Sequence, residues 1–178
     1  IMERLPGMDL GHVYPGLSAM EKRVLAKRIG QIQRIVAHLP QADGFGWLSS
    51  YEDRSYHKSW ADLIFKELAD TQQRIQEIGL IDARHVDRVV DEAGRFEAYF
   101  AKIKPTPFLD DTTTKNVIIH NGQLSGIVDV DWVCFGDPLL VVALTRMSLL
   151  SSGFQTDYID YWCDELNLTT QQNQVLQF

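Results

Sequence analysis

The feature that most restricts the fold is one hairpin signal set among long helical patterns. Val117, Ile118 and Ile119 precede Asn121-Gly122, and Leu124 and Gly126-Ile127-Val128 follow it. Asn-Gly accepts the positive φ angles of a type I′ turn, and the β-branched residues on either side supply strand propensity. Three helical patterns come before it and more helix follows. That order gives a mainly helical α+β domain, residues 1–178, with a small central hairpin.

The helices carry their own punctuation. Ser18 and Glu21 form an S-x-x-E capping box, after which Leu25, Ile29, Ile32, Val36 and Leu39 recur at helical spacing up to Pro40. Residues 41–55, with Asp43, Gly44, Gly46, Ser49 and Ser50, read as a loop. A second stripe of Trp60, Ile64, Leu68, Thr71, Ile75 and Ile78 closes at Gly79. A third helix begins at Asp82, buries Val86, Val89, Ala93, Phe96, Phe100 and Ile103, and ends before Pro105 and Pro107. After the hairpin, Asp137-Pro138 reads as an N-cap with proline at the first helical position, opening a helix to about Leu150. Another amphipathic segment covers Gln155 to Leu166.

Composition excludes several classes. The longest uncharged apolar stretch, Pro138 to Leu144 and its flanks, meets Arg146 long before the roughly 20 residues a bilayer span needs. A formal net charge of -7 argues against nucleic acid and favours cationic partners. Two cysteines, Cys134 and Cys163, make no disulfide framework or metal spacing, so a reducing, cytoplasmic setting is expected. Oligomeric state leaves no signature.

Three polar residues stand out around the hairpin: Asp111, Asn116 and Asp129. Phosphoryl transfer from a nucleotide needs a carboxylate to orient and deprotonate the attacking hydroxyl, and oxygen ligands to hold magnesium against the phosphates. Asp-x-x-x-x-Asn on one loop, with a second aspartate returned beside it by a tight hairpin, supplies these groups. In the kinase template the first Asp is the base, the Asn binds one metal ion, and the later Asp bridges the metals.

The stretch PFLDDTTTKNVIIHNGQLSGIVDVDWVCFGDP resembles the catalytic segment of aminoglycoside phosphotransferases and their choline-kinase relatives. Four linked features carry the likeness: the Asp-x-x-x-x-Asn loop, the NGQLSG hairpin, the Ile-Val-Asp segment and Gly136-Asp137-Pro138. IMERLPGMDL further resembles the interlobe hinge of that family. The resemblance implies the C-terminal lobe of a protein-kinase-like fold, with a hinge remnant at 1–10 and a helical, catalytic lobe at 11–178. It implies Asp111 as catalytic base and Asn116 and Asp129 as magnesium ligands. ATP would meet backbone near Met2 and Glu3, over an apolar floor of Ile118 and Val128. The family's glycine-rich loop and nucleotide-binding lysine belong to a lobe preceding Ile1, so the isolated lobe is expected to be inactive. The acceptor is expected to be a small molecule with a hydroxyl and amine groups.

Two positions depart from the family. Leu109 stands where relatives carry His, and Val141 where they commonly carry an aspartate that braces the catalytic loop. An apolar contact replacing both polar braces is the expectation here. Asp110 is excluded as base by spacing.

Other signals have simpler explanations. IVDVDWV resembles the Asp-x-Asp-x-Val motif of haloacid-dehalogenase-type phosphatases, with Asp129 attacking and Asp131 as acid-base, but that fold needs a parallel sheet after the motif. A kinase-like module that binds without catalysis is the other alternative. Asp131 and Trp132 read as loop packing, with a role toward a second ion or a cationic acceptor as the functional option. Asp157, Asp160 and Asp164 share a helical face and read as solvated. Gly44-Phe45-Gly46 reads as a turn, and the five histidines show no paired metal spacing.

Overall fold

A computed structural model describes residues 4–177. In chain order its elements are β1 (Met8–Asp9), α1 (Leu10–Val13), a 3-10 turn (Tyr14–Gly16), α2 (Ala19–Ala37), β2 (Gly46–Leu48), α3 (Trp60–Ile78), α4 (Arg84–Gly94), α5 (Glu97–Phe100), β3 (Thr106–Phe108), β4 (Val117–His120), β5 (Gln123–Ile127), β6 (Val133–Gly136), α6 (Leu139–Ser151), α7 (Asp157–Leu166) and α8 (Thr170–Gln177). Helix predominates, as the sequence pattern requires. Among the described residues no helix is long and apolar enough to cross a membrane.

The helix boundaries follow local chemistry. Ser18 caps α2 reciprocally: its hydroxyl faces the Glu21 N–H at 3.3 Å, while the Ser18 N–H donates to Glu21 Oε2 at 2.8 Å. Ser59 caps α3 by accepting from the Asp62 N–H, and Gly79 ends it in the left-handed region at φ 69°. Leu25 and Ile29 of α2 pack with Tyr158 and Trp162 of α7 in the core. Gln33 links α2 to both later helices, donating to the Pro138 carbonyl at 2.8 Å and accepting from Trp162 Nε1 at 3.0 Å. Those two bonds satisfy an amide that burial would otherwise penalise.

The sheet content exceeds the single hairpin expected. One antiparallel sheet runs β1-β4-β5 and a second runs β2-β6-β3. The second sheet corrects two readings: residues 41–55 contain a strand, and the proline-rich segment before Asp111 pairs as β3. Pro107 is tolerated there because β3 lies at the sheet edge. Both sheets being antiparallel also overturns the haloacid-dehalogenase alternative, which requires parallel strands. The third helix is likewise corrected: it breaks after Gly94, and α5 restarts from Phe96 at φ -102° and ψ 7°.

Gly136 shows how tightly the second sheet meets α3. A Cβ at that position would fall 2.0 Å from Trp60 Cζ3 and 2.5 Å from Cε3. Gly136→Ala is therefore expected to lower stability by about 1–3 kcal/mol through overpacking, measured as the shift in urea unfolding. An unchanged midpoint would show that the indole moves aside freely.

Candidate active site

Two antiparallel ladders hold the loop bearing Asp111 against the loop bearing Asp129. At one end, β3 pairs with β6, placing Phe108 opposite Cys134. At the other, β4 pairs with β5, with Val117 opposite Ile127, and the Val128 N–H donates to the Asn116 carbonyl at 2.9 Å. Segments 109–116 and 128–133 are thus fastened to each other at both ends. Asn121 and Gly122, at φ 49° and 72°, make the reversal between them, as the Asn-Gly pair required.

Asn116 and Asp129 emerge together at the open end of this hairpin. Asn116 is buried and its N–H donates to the Thr113 carbonyl at 3.0 Å. Asp129 is exposed and adopts the left-handed region at φ 61°, where a side chain other than glycine is uncommon. Both line a cleft of about 910 Å³, together with Ile118, Val128, Asp131 and the opening segment that includes Arg4, Leu5 and Met8. Ile118 and Val128 are half-buried in its wall. Met2 and Glu3 lie outside the described residues.

Asp111 stands apart from the lining of that cleft. It is half-buried, and its Oδ1 accepts the Thr113 N–H at 2.7 Å, an Asx-turn that fixes the carboxylate's orientation. Its neighbour Asp110 faces the second sheet, where the Cys134 thiol donates to Asp110 Oδ1 at 3.6 Å. Burial pushes the Asp110 carboxyl above its ordinary range. The thiol and the Asp131 and Trp132 backbone N–H groups work in the opposite direction, while the Asp111 charge adds to the rise. Burial, with the Asp110 charge beside it, also raises the Cys134 thiol, so this cysteine stays protonated and inert.

The loop is supported by buried apolar residues at Leu109 and Val141, as expected, and by polar contacts besides. The Thr145 hydroxyl lies 3.1 Å from the Thr112 carbonyl and 3.3 Å from the Thr112 hydroxyl, with the Val141 carbonyl a competing acceptor at 2.7 Å. Thr114 and Ser148 hydroxyls meet at 2.8 Å, and the Gly11 N–H donates to the Thr114 carbonyl at 3.0 Å. Thr112 and Thr114 therefore bind α6 and α1 to the loop.

Two acidic positions change meaning in three dimensions. Asp137 accepts from the Leu139 N–H at 3.0 Å, as an N-cap does, and also from the buried Tyr99 hydroxyl at 2.7 Å. Asp157 is removed from the solvated face: it pairs with Lys22 at 3.0 Å and accepts from the Tyr14 hydroxyl at 2.8 Å. Asp160 and Asp164 stay exposed. The exposed His12 lines the cleft, as do Asp9 and Lys115, which no sequence signal singled out.

Among the described residues no group of three or more His, Cys, Asp and Glu side chains is placed to hold a metal ion. What the hairpin offers is one amide and one carboxylate oxygen donor, which suits magnesium, a hard cation that takes one or two protein carboxylates and completes its shell with water and phosphate oxygens.

The phosphotransferase enzyme family model matches residues 1–171. No curated protein matches the chain. Among solved structures, the chain is similar to ADP-bound aminoglycoside phosphotransferase APH(2'')-Ib at 14% identity and TM-score 0.66, covering 99% of this chain and 57% of that one. It is similar to APH(2")-IIa in complex with gentamicin at 15% identity and TM-score 0.68, covering 99% and 56%. An apo thermostable mutant of APH(4)-Ia gives 17% identity and TM-score 0.53, with 98% and 63% covered. At such identities the likeness is one of fold, and the chain spans a little over half the length of the first two.

Proposed function

The chain belongs to the phosphotransferase enzyme family, and from that premise we propose that it is the catalytic and acceptor-binding lobe of an ATP-dependent enzyme that phosphorylates a hydroxyl of a small, amine-bearing molecule. The strongest support is the pair of ladders that fastens the Asp111 loop to the Asp129 loop at both ends. A purely structural turn has no need of two such fastenings around an exposed aspartate at positive φ.

The proposed roles follow from what each atom has free. Asp111 gives Oδ1 to the Thr113 N–H, which leaves Oδ2 to take the proton of the attacking hydroxyl. Asn116 and Asp129 would hold the divalent cation, which when bound neutralises charge on the transferred phosphate. Ile118 and Val128 offer the adenine ring an apolar wall, and the segment at Met2 and Glu3 would supply backbone partners to its edge. Solved relatives in complex with gentamicin, streptomycin and hygromycin B favour a small-molecule acceptor, and the net charge of -7 favours a cationic one. A cytoplasmic setting goes with this reading.

The test is the full-length protein with magnesium and ATP, screened against aminoglycosides, choline-like amines and sugars. Phosphorylation of a member of the panel is expected, and transfer to none of these hydroxyls would sink the reading. Asn116→Ala should raise the magnesium concentration for half-maximal turnover by at least about tenfold, since weakening even outer support of a metal ligand costs that much. An unshifted magnesium curve would remove Asn116 from the metal site.

A further inference from the structure

Resting on the functional reading above, we propose that Asp110 is a positioning residue: its carboxylate ties the Asp111 loop to the segment following Asp129, and so fixes the proposed base relative to the proposed metal ligands.

The geometry is specific to this side chain. Asp110 immediately precedes Asp111, while its partner Cys134 lies just beyond Asp129. Cys134, 1% exposed, points its thiol at Asp110 Oδ1 at 3.6 Å, with the Trp132 carbonyl a second acceptor at 3.8 Å. A buried donor from the segment after Asp129 thus meets an acceptor carried by the opposite loop. Leu109, buried and apolar, has no hydrogen bond to offer in its place. The hydroxyl contacts of Thr112 and Thr114 run to α6 and leave the 129–132 segment untouched. At the far end of that segment the fastening is the Val128 N–H to the Asn116 carbonyl. Between these anchors Asp129 and Asp131 are exposed, and Asp129 sits at φ 61°. Removing the Asp110 anchor would free one side of a strained, exposed turn. The Asp129 oxygens would then sample positions away from Asn116 while the backbone ladders remained intact.

The experiment compares Asp110→Ala, Asp110→Asn, Asp111→Asn, Cys134→Ala and Cys134→Ser in the full-length protein under the magnesium-ATP assay. Asp110→Ala is expected to lower kcat by about 10- to 100-fold with KM for ATP and acceptor within about twofold of wild type, the signature of misplacement rather than lost binding. Asp110→Asn, whose carbonyl oxygen still accepts, should recover most of that rate. Cys134→Ala should lower kcat to a lesser degree, Cys134→Ser, which keeps a donor, should recover most of it, and Cys134→Ala added to Asp110→Ala should cost nothing more, because the two share one link. A kcat for Asp110→Ala within about twofold of wild type, with Asp111→Asn inactive, overturns the positioning role alone. Asp110→Asn as inactive as Asp111→Asn, with Cys134→Ala at wild-type rate, overturns it by putting Asp110 at the reacting atoms. Full turnover by Asp111→Asn overturns the functional reading first and this inference with it. If Asp110→Ala does not fold, the cysteine pair decides: recovery by Ser relative to Ala supports the link, and equal rates overturn it.

Discussion

Asp111→Asn in the full-length protein is expected to lower kcat by about 100- to 10,000-fold, the range that a positioned general base contributes. The substitution is nearly isosteric, and its carbonyl oxygen still accepts the Thr113 N–H that orients the wild-type carboxylate at 2.7 Å. What it removes is the second, basic oxygen. Because the Asx-turn and the ladders on either side persist, unfolding should shift by less than about 0.5 kcal/mol, as for substitutions that spare packing and caps. Steady-state kcat and KM measured alongside urea unfolding separate the two effects. A large fall in stability would make the rate loss structural, and an unchanged kcat would take Asp111 out of the chemistry.

Much of the lobe is legible in the sequence wherever a signal is local. The Ser18-Glu21 box, the Gly79 stop and the Asn121-Gly122 reversal each depend on residues a few positions apart, and each appears where its chemistry puts it. The meeting of Asn116 and Asp129 in one cleft was legible for the same reason, whereas Asp111 lies outside that cleft's lining. Asp-x-x-x-x-Asn, a tight reversal and a returning aspartate make a short-range pattern, and the hairpin ladder carries Asn116 and Asp129 into one cleft.

What the sequence hid is long-range. The second sheet joins Gly46–Leu48, Thr106–Phe108 and Val133–Gly136, strands of three or four residues that are too short for a visible alternation, one of them containing proline. The break after Gly94 was masked because α4 and α5 both present apolar residues inward, so the stripe continues across a bend that periodicity alone cannot register. Thr112 and Thr114 carry turn propensity whatever their partners, and only the approach of α6 turns their hydroxyls into braces. Asp110 was set aside by counting to Asn116. Its partner Cys134 lies more than twenty residues further on, across a sheet whose existence the sequence did not announce.

Asp137 gives the largest expected change in stability. It is 6% exposed and lines an apolar cavity of about 200 Å³ with Trp60, Phe100 and Leu139. Its two oxygens satisfy the Tyr99 hydroxyl and the Leu139 N–H at the start of α6. Asp137→Ala strands both donors in an apolar setting and should cost about 2–4 kcal/mol, measured by urea unfolding. The pH dependence has a definite sign. Burial raises the carboxyl above its ordinary value of 3.8, against the opposing pull of the Leu139 N–H and the Tyr99 hydroxyl. The folded state therefore binds the proton more tightly than the unfolded state, and between 3.8 and the raised value it carries more protons. Stability contributed by this group is greatest below that window and declines as pH rises through it. Asp137→Asn, which cannot ionise, should lose that decline. The difference in unfolding free energy between wild type and Asp137→Asn, followed from acid toward neutral pH, should move in favour of the variant, and a difference that stays constant with pH would mean that this carboxylate is not strained by its burial.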